Sequence, residues 1–203
     1  EKVTNKFTLA LKPTISVGNA NETSLLVSFS ENNPAGTQYL ISCGSQYVNA
    51  QGSLVSTPVW FTPQGRNITV NGLSPNTSYT FTAKAKNGEG LETEASDSKS
   101  SRTLALPPQT LVFPVITQNS IKVEWASIPD AARYDIEVDG QIVNNGTSNT
   151  YTHSGLQPET SHTYRVRITN AGGTGNWGTL YNQSTLMNNP GMPANIQTSR
   201  SKT

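Results

Sequence analysis

The sequence predicts an all-β chain made of two consecutive sandwich modules, and three observations carry that expectation. The first is strict alternation. Tyr79, Phe81, Ala83 and Ala85 alternate with Thr80, Thr82, Lys84 and Lys86, and His162, Tyr164, Val166 and Ile168 alternate with Thr163, Arg165, Arg167 and Thr169. One apolar and one charged face at period two is the pattern of a half-buried strand in an antiparallel sheet. The second is repetition. Residues 72–90 (GLSPNTSYTFTAKAKNGEG) and 155–173 (GLQPETSHTYRVRITNAGG) share a Leu-x-Pro-x-Thr corner, and their offset of 83 residues sets a module of about 80–100 residues, a usual domain size. The third is composition. Apolar residues make up 33% and charged residues 13% of the chain, which suits short strands joined by Ser, Thr, Asn and Gly turns. No stretch keeps apolar spacing at i, i+3, i+4 and i+7 over three turns, so no long helix is expected.

Taken in order, residues 1–13 close on Thr8-Leu9-Ala10-Leu11-Lys12-Pro13, which Thr103-Leu104-Ala105-Leu106-Pro107-Pro108 repeats closely and Ser184-Thr185-Leu186 ahead of Pro190 repeats loosely. A phrase that recurs at boundaries marks 1–13 as the end of a preceding module or linker. Residues 105–108 then form a short Pro-containing linker, and 187–203 the start of a following module or a mobile tail. Such a linker is too brief and too stiff for free rotation, so an elongated rod with limited bending is expected.

The first module spans 14–104. Leu25, Val27 and Phe29 point inward on one strand, with Leu26 the one apolar residue out of pattern, and Tyr39, Ile41 and Cys43 point inward on the next. Asn32-Asn33-Pro34-Ala35-Gly36 makes the turn between them. The interval from Tyr39 to Leu73, with Tyr47, Val48, Leu54, Val59, Trp60 and Phe61, exceeds its counterpart from Tyr134 to Leu156 by 12 residues, which predicts an added edge hairpin. A last strand follows Gly90. The second module spans 109–186. Ile121, Val123 and Trp125 point inward, as do Tyr134, Ile136 and Val138, while Asp135, Glu137 and Asp139 point outward. Asp139-Gly140 signals a tight hairpin. Residues 171–175, rich in Gly, predict a flexible loop, after which Trp177 opens the last strand.

Phe29 or Trp125 on the second strand, Tyr39 or Tyr134 on the third, the corners Leu73-x-Pro75 and Leu156-x-Pro158 with Tyr79 or His162 behind them, and Asn87 or Asn170 before a Gly-rich loop together resemble the fibronectin type III family. The match covers most of both modules. It implies two seven-stranded immunoglobulin-like β-sandwiches without catalytic apparatus. The wording AKAKNGEGLETEAS and RVRITNAGGTGNW looks like the bacterial extracellular or cell-surface branch, and no Arg-Gly-Asp triplet is present. Two positions depart from the family pattern. Phe29 stands in place of Trp, and His162 stands where the corner Tyr belongs. The shorter imidazole predicts a weaker or water-mediated link to the backbone upstream.

Chemistry is sparse. Cys43 is the single cysteine, which excludes an intrachain disulfide and reads as a core residue. The two histidines, His153 and His162, show no metal-ligand spacing and read as structural or solvent-facing. Asp135, Glu137 and Asp139 lie on one strand face opposite Arg165 and Arg167, which predicts an exposed cross-strand charge ladder rather than a glycosidase pair. No catalytic residue, metal site or cofactor is expected. Trp60, Trp177, Tyr181 and Tyr47 fall on loops or edge strands and are the candidate sugar-stacking residues. A net charge of +1 without a basic cluster argues against nucleic-acid binding, and no apolar run is long enough for membrane insertion. Asn-x-Ser/Thr sites at Asn21, Asn67, Asn76, Asn145 and Asn182 are no more than the composition yields by chance.

The expected function is that of non-catalytic spacer and interaction modules of a secreted or surface-attached bacterial protein, with neighbouring modules of the same chain as partners. Two alternatives remain open: accessory modules that bind carbohydrate or cell wall for a polysaccharide-degrading enzyme, and a protein–protein adhesin. Further partners would be polysaccharide, cell wall or another surface protein. The chain begins at Glu1, not Met, and is expected to be a segment of something longer.

Overall fold

The computed structural model describes residues 9–30 and 32–188, and among these it holds strands and turns but no helix. The first module contains β1 (Ile15–Gly18), β2 (Ser24–Phe29), β3 (Gln38–Cys43), β4 (Gln46–Val48), β5 (Leu54–Val55), β6 (Asn67–Asn71), β7 (Ser78–Lys86) and β8 (Lys99–Arg102). The second contains β9 (Leu111–Ile116), β10 (Ser120–Trp125), β11 (Arg133–Val138), β12 (Gln141–Asn144), β13 (Thr150–Ser154), β14 (Ser161–Asn170), β15 (Gly173–Thr174) and β16 (Tyr181–Ser184). In each module a three-stranded sheet, β1-β2-β6 or β13-β10-β9, faces a second sheet, β5-β4-β3-β7-β8 or β12-β11-β14, with both β15 and β16 on the open side of β14. Every pairing is antiparallel.

Alternation decides which side chains close each sandwich. Strands β2, β3 and β10 bury every second residue, and the inward sets are those the sequence marks. Phe29 and Tyr39 meet at 4.5 Å between ring centroids, as Trp125 and Tyr134 do at 5.6 Å, so Phe29 keeps an aromatic plug where the second module has Trp. Cys43 is buried in the first core, and burial pushes its thiol pKa up, as the core reading expects. The two cores are separate clusters with no residue in common.

The boundary phrases take part in packing. Ala105 is buried in the second core and Ala10 packs against the first. The residues read as linker are therefore anchored in the module that follows them, which leaves little free chain between the sandwiches. The tail at 189–203 and the first eight residues lie outside the described residues.

The extra length of the first module forms a hairpin of β4 and β5, with Val48 opposite Leu54, at the edge of the larger sheet. Gly52 in its turn has φ +79° and sits where a Cβ would come within 2.0 Å of the Thr69 carbonyl oxygen. Asn71 N–H donates to the Gly52 carbonyl at 2.8 Å, so the turn is sewn to β6. Asp139 (φ 50°) and Gly140 (φ 80°) make the tight turn between β11 and β12.

Two local expectations fail. The glycines at 172–175 do not form a flexible loop: Gly173 and Thr174 pair with β14 as β15, and Gly175 N–H donates to Ile168 O at 2.8 Å. Trp177 does not open the last strand. It lies in the excursion between β15 and β16, where pairing with β14 is interrupted before resuming at Tyr181.

Candidate functional site

The four candidate sugar-stacking aromatics are not brought together. Trp60 and Tyr47 belong to the first module, Trp177 and Tyr181 to the second, and all four are half-buried. The Lys86 ammonium lies over the Trp60 ring at 4.5 Å. Tyr181 packs toward Phe113 at 6.3 Å and donates its hydroxyl to Gln109 O at 3.1 Å, tying β16 to the start of its module. Tyr47 is paired within β4 opposite Ser42.

Trp177 covers a charge ladder. Register places Asp135 opposite Arg167 and Glu137 opposite Arg165, as the sequence predicts. Arg165 makes two hydrogen bonds to Glu137, 2.9 Å from Nε and 2.7 Å from Nη2, and Arg167 Nε donates to Asp135 Oδ2 at 3.0 Å. The guanidiniums of Arg167 and Arg165 stack on the Trp177 ring at 4.4 and 5.1 Å. The ladder is not exposed as expected. Asp135 is only 4% accessible and also has Arg133 Nε at 3.0 Å, so two arginines flank it and one of them, Arg167, carries Trp177 on its guanidinium. Asp139, the third carboxylate, stands apart and faces histidine. No pair of these carboxylates flanks a cleft. A shallow cleft elsewhere, lined by Phe29, Asn33, Tyr39 and Arg66, has no carboxylate, imidazole or thiol among the described residues that line it.

The corners show how the repeat works and where it diverges. In the first, Ser74 N–H donates to the Tyr79 hydroxyl at 2.8 Å, and Thr103 Oγ1 donates to Ser74 O at 2.7 Å. In the second, Thr185 Oγ1 donates to Gln157 O at 2.7 Å, preserving the latter bond. His162 turns elsewhere. Its Nδ1 lies 2.7 Å from Asp139 Oδ2, and its Nε2 lies 2.8 Å from Thr160 Oγ1, which itself donates to Gln157 O at 2.6 Å. The Thr160 hydroxyl thus stands between the ring and the backbone upstream. Imidazole is too short to span the corner but reaches the carboxylate of the adjacent turn. Burial raises the Asp139 carboxyl pKa, yet hydrogen bonds from His162 and Thr163 and the charge of His162 outweigh it and hold the pKa low.

The junction is built from residues that alternation and motif do not single out as contacts. Asn76, at the first corner, donates from Nδ2 to Pro129 O at 2.8 Å, and Arg102 Nη1 contacts Asp130 Oδ2 at 2.9 Å. Asn170 Nδ2 lies 2.9 Å from both Asn76 Oδ1 and Thr103 O, and is buried. Asn176 reaches Glu22 at 3.1 Å. A Cβ on Gly172 would stand 2.1 Å from the Arg102 carbonyl oxygen, so only glycine lets the two backbones approach this closely. The corner end of the first sandwich thus meets the opposite end of the second, formed by the β10–β11 loop and the turn after β14. The only prior signal was Asn170 itself, which the alternation places at the end of its strand.

Two immunoglobulin-like β-sandwiches, each with its own core and joined end to end by a polar contact, define a tandem of β-sandwich modules. The fibronectin type III domain model matches residues 11–101 and 106–183, and the chain belongs to that family. It is similar to chitinase A1 of Niallia circulans, 33% identical over 54% of this chain and 17% of that protein. It is also similar to ephrin type-B receptor 4b of Danio rerio, 24% identical over 87% of this chain and 20% of that protein. The chain thus spans a fifth or less of these relatives. Among solved structures, a two-domain fibronectin type III segment of chicken tenascin aligns with TM-score 0.47 at 15% identity, covering 86% of this chain and all of that one. The chicken CNTN1 FN1-FN3 domains align with TM-score 0.45 at 16% identity, covering 87% of this chain and 68% of that one.

Proposed function

We propose that the chain is a non-catalytic spacer and interaction segment of a secreted or surface-attached bacterial protein, and that its work is to hold neighbouring modules at a set orientation. The observation that carries this is the junction. Asn76, Arg102 and Asn170 from two sandwiches share hydrogen bonds, and Gly172 rests on the Arg102 backbone. A chain that only tethered its neighbours would need none of these contacts. Replacing Gly172 by Ala while leaving both cores untouched should let the modules tumble separately, read by ¹⁵N relaxation of each module. Unchanged joint tumbling in that variant counts against the proposal.

One observation favours a second reading, an accessory role in polysaccharide binding: the likeness to a protein named chitinase A1 at 33% identity. Trp60 and Trp177 are the residues to test, each with a ring face engaged by Lys or Arg in the absence of sugar. Pull-down on insoluble chitin and cellulose, with Trp60→Ala and Trp177→Ala compared, decides it; retention lost in either variant supports sugar binding, and no retention of the parent chain dismisses it. The adhesin alternative rests on an exposed sheet edge, and the short β5, two residues long, offers little backbone to a partner strand.

A further inference from the structure

Both histidines of the chain lie at one end of the second module, although nine residues separate them in sequence and they belong to different sheets. His153 comes from β13 and His162 from the start of β14, and their rings meet edge to face at 5.0 Å. Asp139, from the turn after β11, completes the group. One ligand atom from each of the three lies within 4.8 Å of the others. Zinc bonds of about 2.0–2.2 Å to His nitrogen and carboxylate oxygen place neighbouring tetrahedral ligands about 3.3–3.5 Å apart, so the set must close by about an ångström to hold the ion.

His162 Nδ1 lies 2.7 Å from the Asp139 carboxylate oxygen, with a shared proton bridging the two in the metal-free chain. His162 Nε2 lies 2.8 Å from Thr160 Oγ1, which occupies the outer nitrogen of the ring and leaves Nδ1 facing the carboxylate. A metal ion that displaces the bridging proton takes Nδ1 and the carboxylate oxygen as neighbouring ligands. On the other ring, His153 Nδ1 lies 3.0 Å from the Tyr164 hydroxyl, a buried group that burial keeps protonated. With Nδ1–H donating to that oxygen, Nε2 carries the free lone pair. An outer partner that fixes the tautomer of a ligating histidine in this way is the usual arrangement around bound metals.

We propose that Asp139, His153 and His162 form a binding site for a divalent late transition metal of the Zn²⁺ class, which clamps the two sheets of the second module together at the end away from the first. Two imidazoles and one carboxylate suit zinc and leave a fourth position for water, whereas calcium and magnesium prefer an all-oxygen set. A metal that binds only the folded state raises its stability in proportion to the logarithm of free metal concentration.

The test is isothermal titration of ZnCl₂ into the tag-free 203-residue chain at pH 7.5, with thermal unfolding followed in parallel and MgCl₂ and CaCl₂ as comparison arms. One zinc per chain is expected. The unfolding midpoint of the second module should rise by about 11–22 °C when free zinc is a hundredfold above the dissociation constant, with no response to magnesium or calcium. His153→Gln and Asp139→Asn should each weaken zinc binding at least tenfold while retaining the β-rich circular dichroism of the parent. Lys99→Gln, on β8 of the first module, should not. Absence of saturable binding to the parent chain overturns the proposal, as does binding that survives unchanged in His153→Gln. If the histidine variants do not fold, zinc-dependent shifts of the His153 and His162 ring ¹⁵N resonances in the parent chain decide the question, and unshifted rings reject it.

Discussion

Asp135→Ala is the perturbation that most directly probes how the second sandwich is held. Asp135 is 4% exposed and accepts hydrogen bonds from Arg167 Nε at 3.0 Å and Arg133 Nη2 at 3.3 Å beneath the Trp177 ring. A hydrogen bond involving a charged group contributes about 1.5–3 kcal/mol, and removing one partner of a fully buried ion pair costs about 3–5 kcal/mol. Arg133 and Arg167 keep 39% and 26% of their side-chain surface accessible, so once released they regain water and the larger figure does not apply. The expected loss is about 2 kcal/mol, which lowers the midpoint of a domain of this size by about 8–16 °C. Urea unfolding followed by tryptophan fluorescence measures it, because Trp125 and Trp177 both report on the second module and only Trp60 on the first. A loss below about 0.5 kcal/mol, the range of an ordinary exposed pair, would refute the claim that burial gives this ladder its weight. Glu137→Ala, 13% exposed and bound by Arg165 alone, should cost less than Asp135→Ala.

Tyr79→Phe removes the acceptor for Ser74 N–H and should destabilise the first module by about 1 kcal/mol, with the second unaffected in the same denaturation curve. Glu159 holds φ 58° with its side chain exposed, at the position where the first corner has Asn76 at 51°; Glu159→Gly should therefore stabilise the second module by about 1 kcal/mol, visible as a raised thermal midpoint. Acid should weaken the second module in the absence of added metal. Burial and the charge of His162 depress the His153 pKa below its ordinary 6.5, so the unfolded chain binds more protons than the folded one. The stability contributed by the neutral ring is complete above pH 6.5 and falls as the pH drops through that value toward the folded pKa. Asp139, also depressed, adds a loss of the same sign below its ordinary 3.8. Thermal midpoints of the parent and His153→Gln across pH 4–8 should run parallel above pH 6.5 and part below it, the parent falling more steeply; curves parallel throughout would contradict the assignment to His153.

The alternation made the sandwich legible because a strand between core and solvent must switch faces at every residue, and Tyr79, Phe81, Ala83 and Ala85 announce their side without outside help. Opposite charges on neighbouring strands made the ladder legible too, since Asp135 and Arg167 can be aligned from strand order. Its burial was not legible, because Trp177 reaches it from an excursion that breaks the last strand. The junction was hidden for a related reason. Asn76, Arg102, Asn170 and Gly172 are ordinary turn residues until two modules bring them together, and residue type alone does not disclose contacts made across a boundary. His153 and His162 likewise carry no spacing motif, as their meeting depends on the pairing of different sheets.

The claim beneath the proposed function is that the two sandwiches are oriented by their junction. Residual dipolar couplings of the parent chain in a dilute alignment medium test it most directly. One alignment tensor fitting both modules is expected, and it should separate into two in Gly172→Ala. Two independent tensors in the parent chain would contradict it.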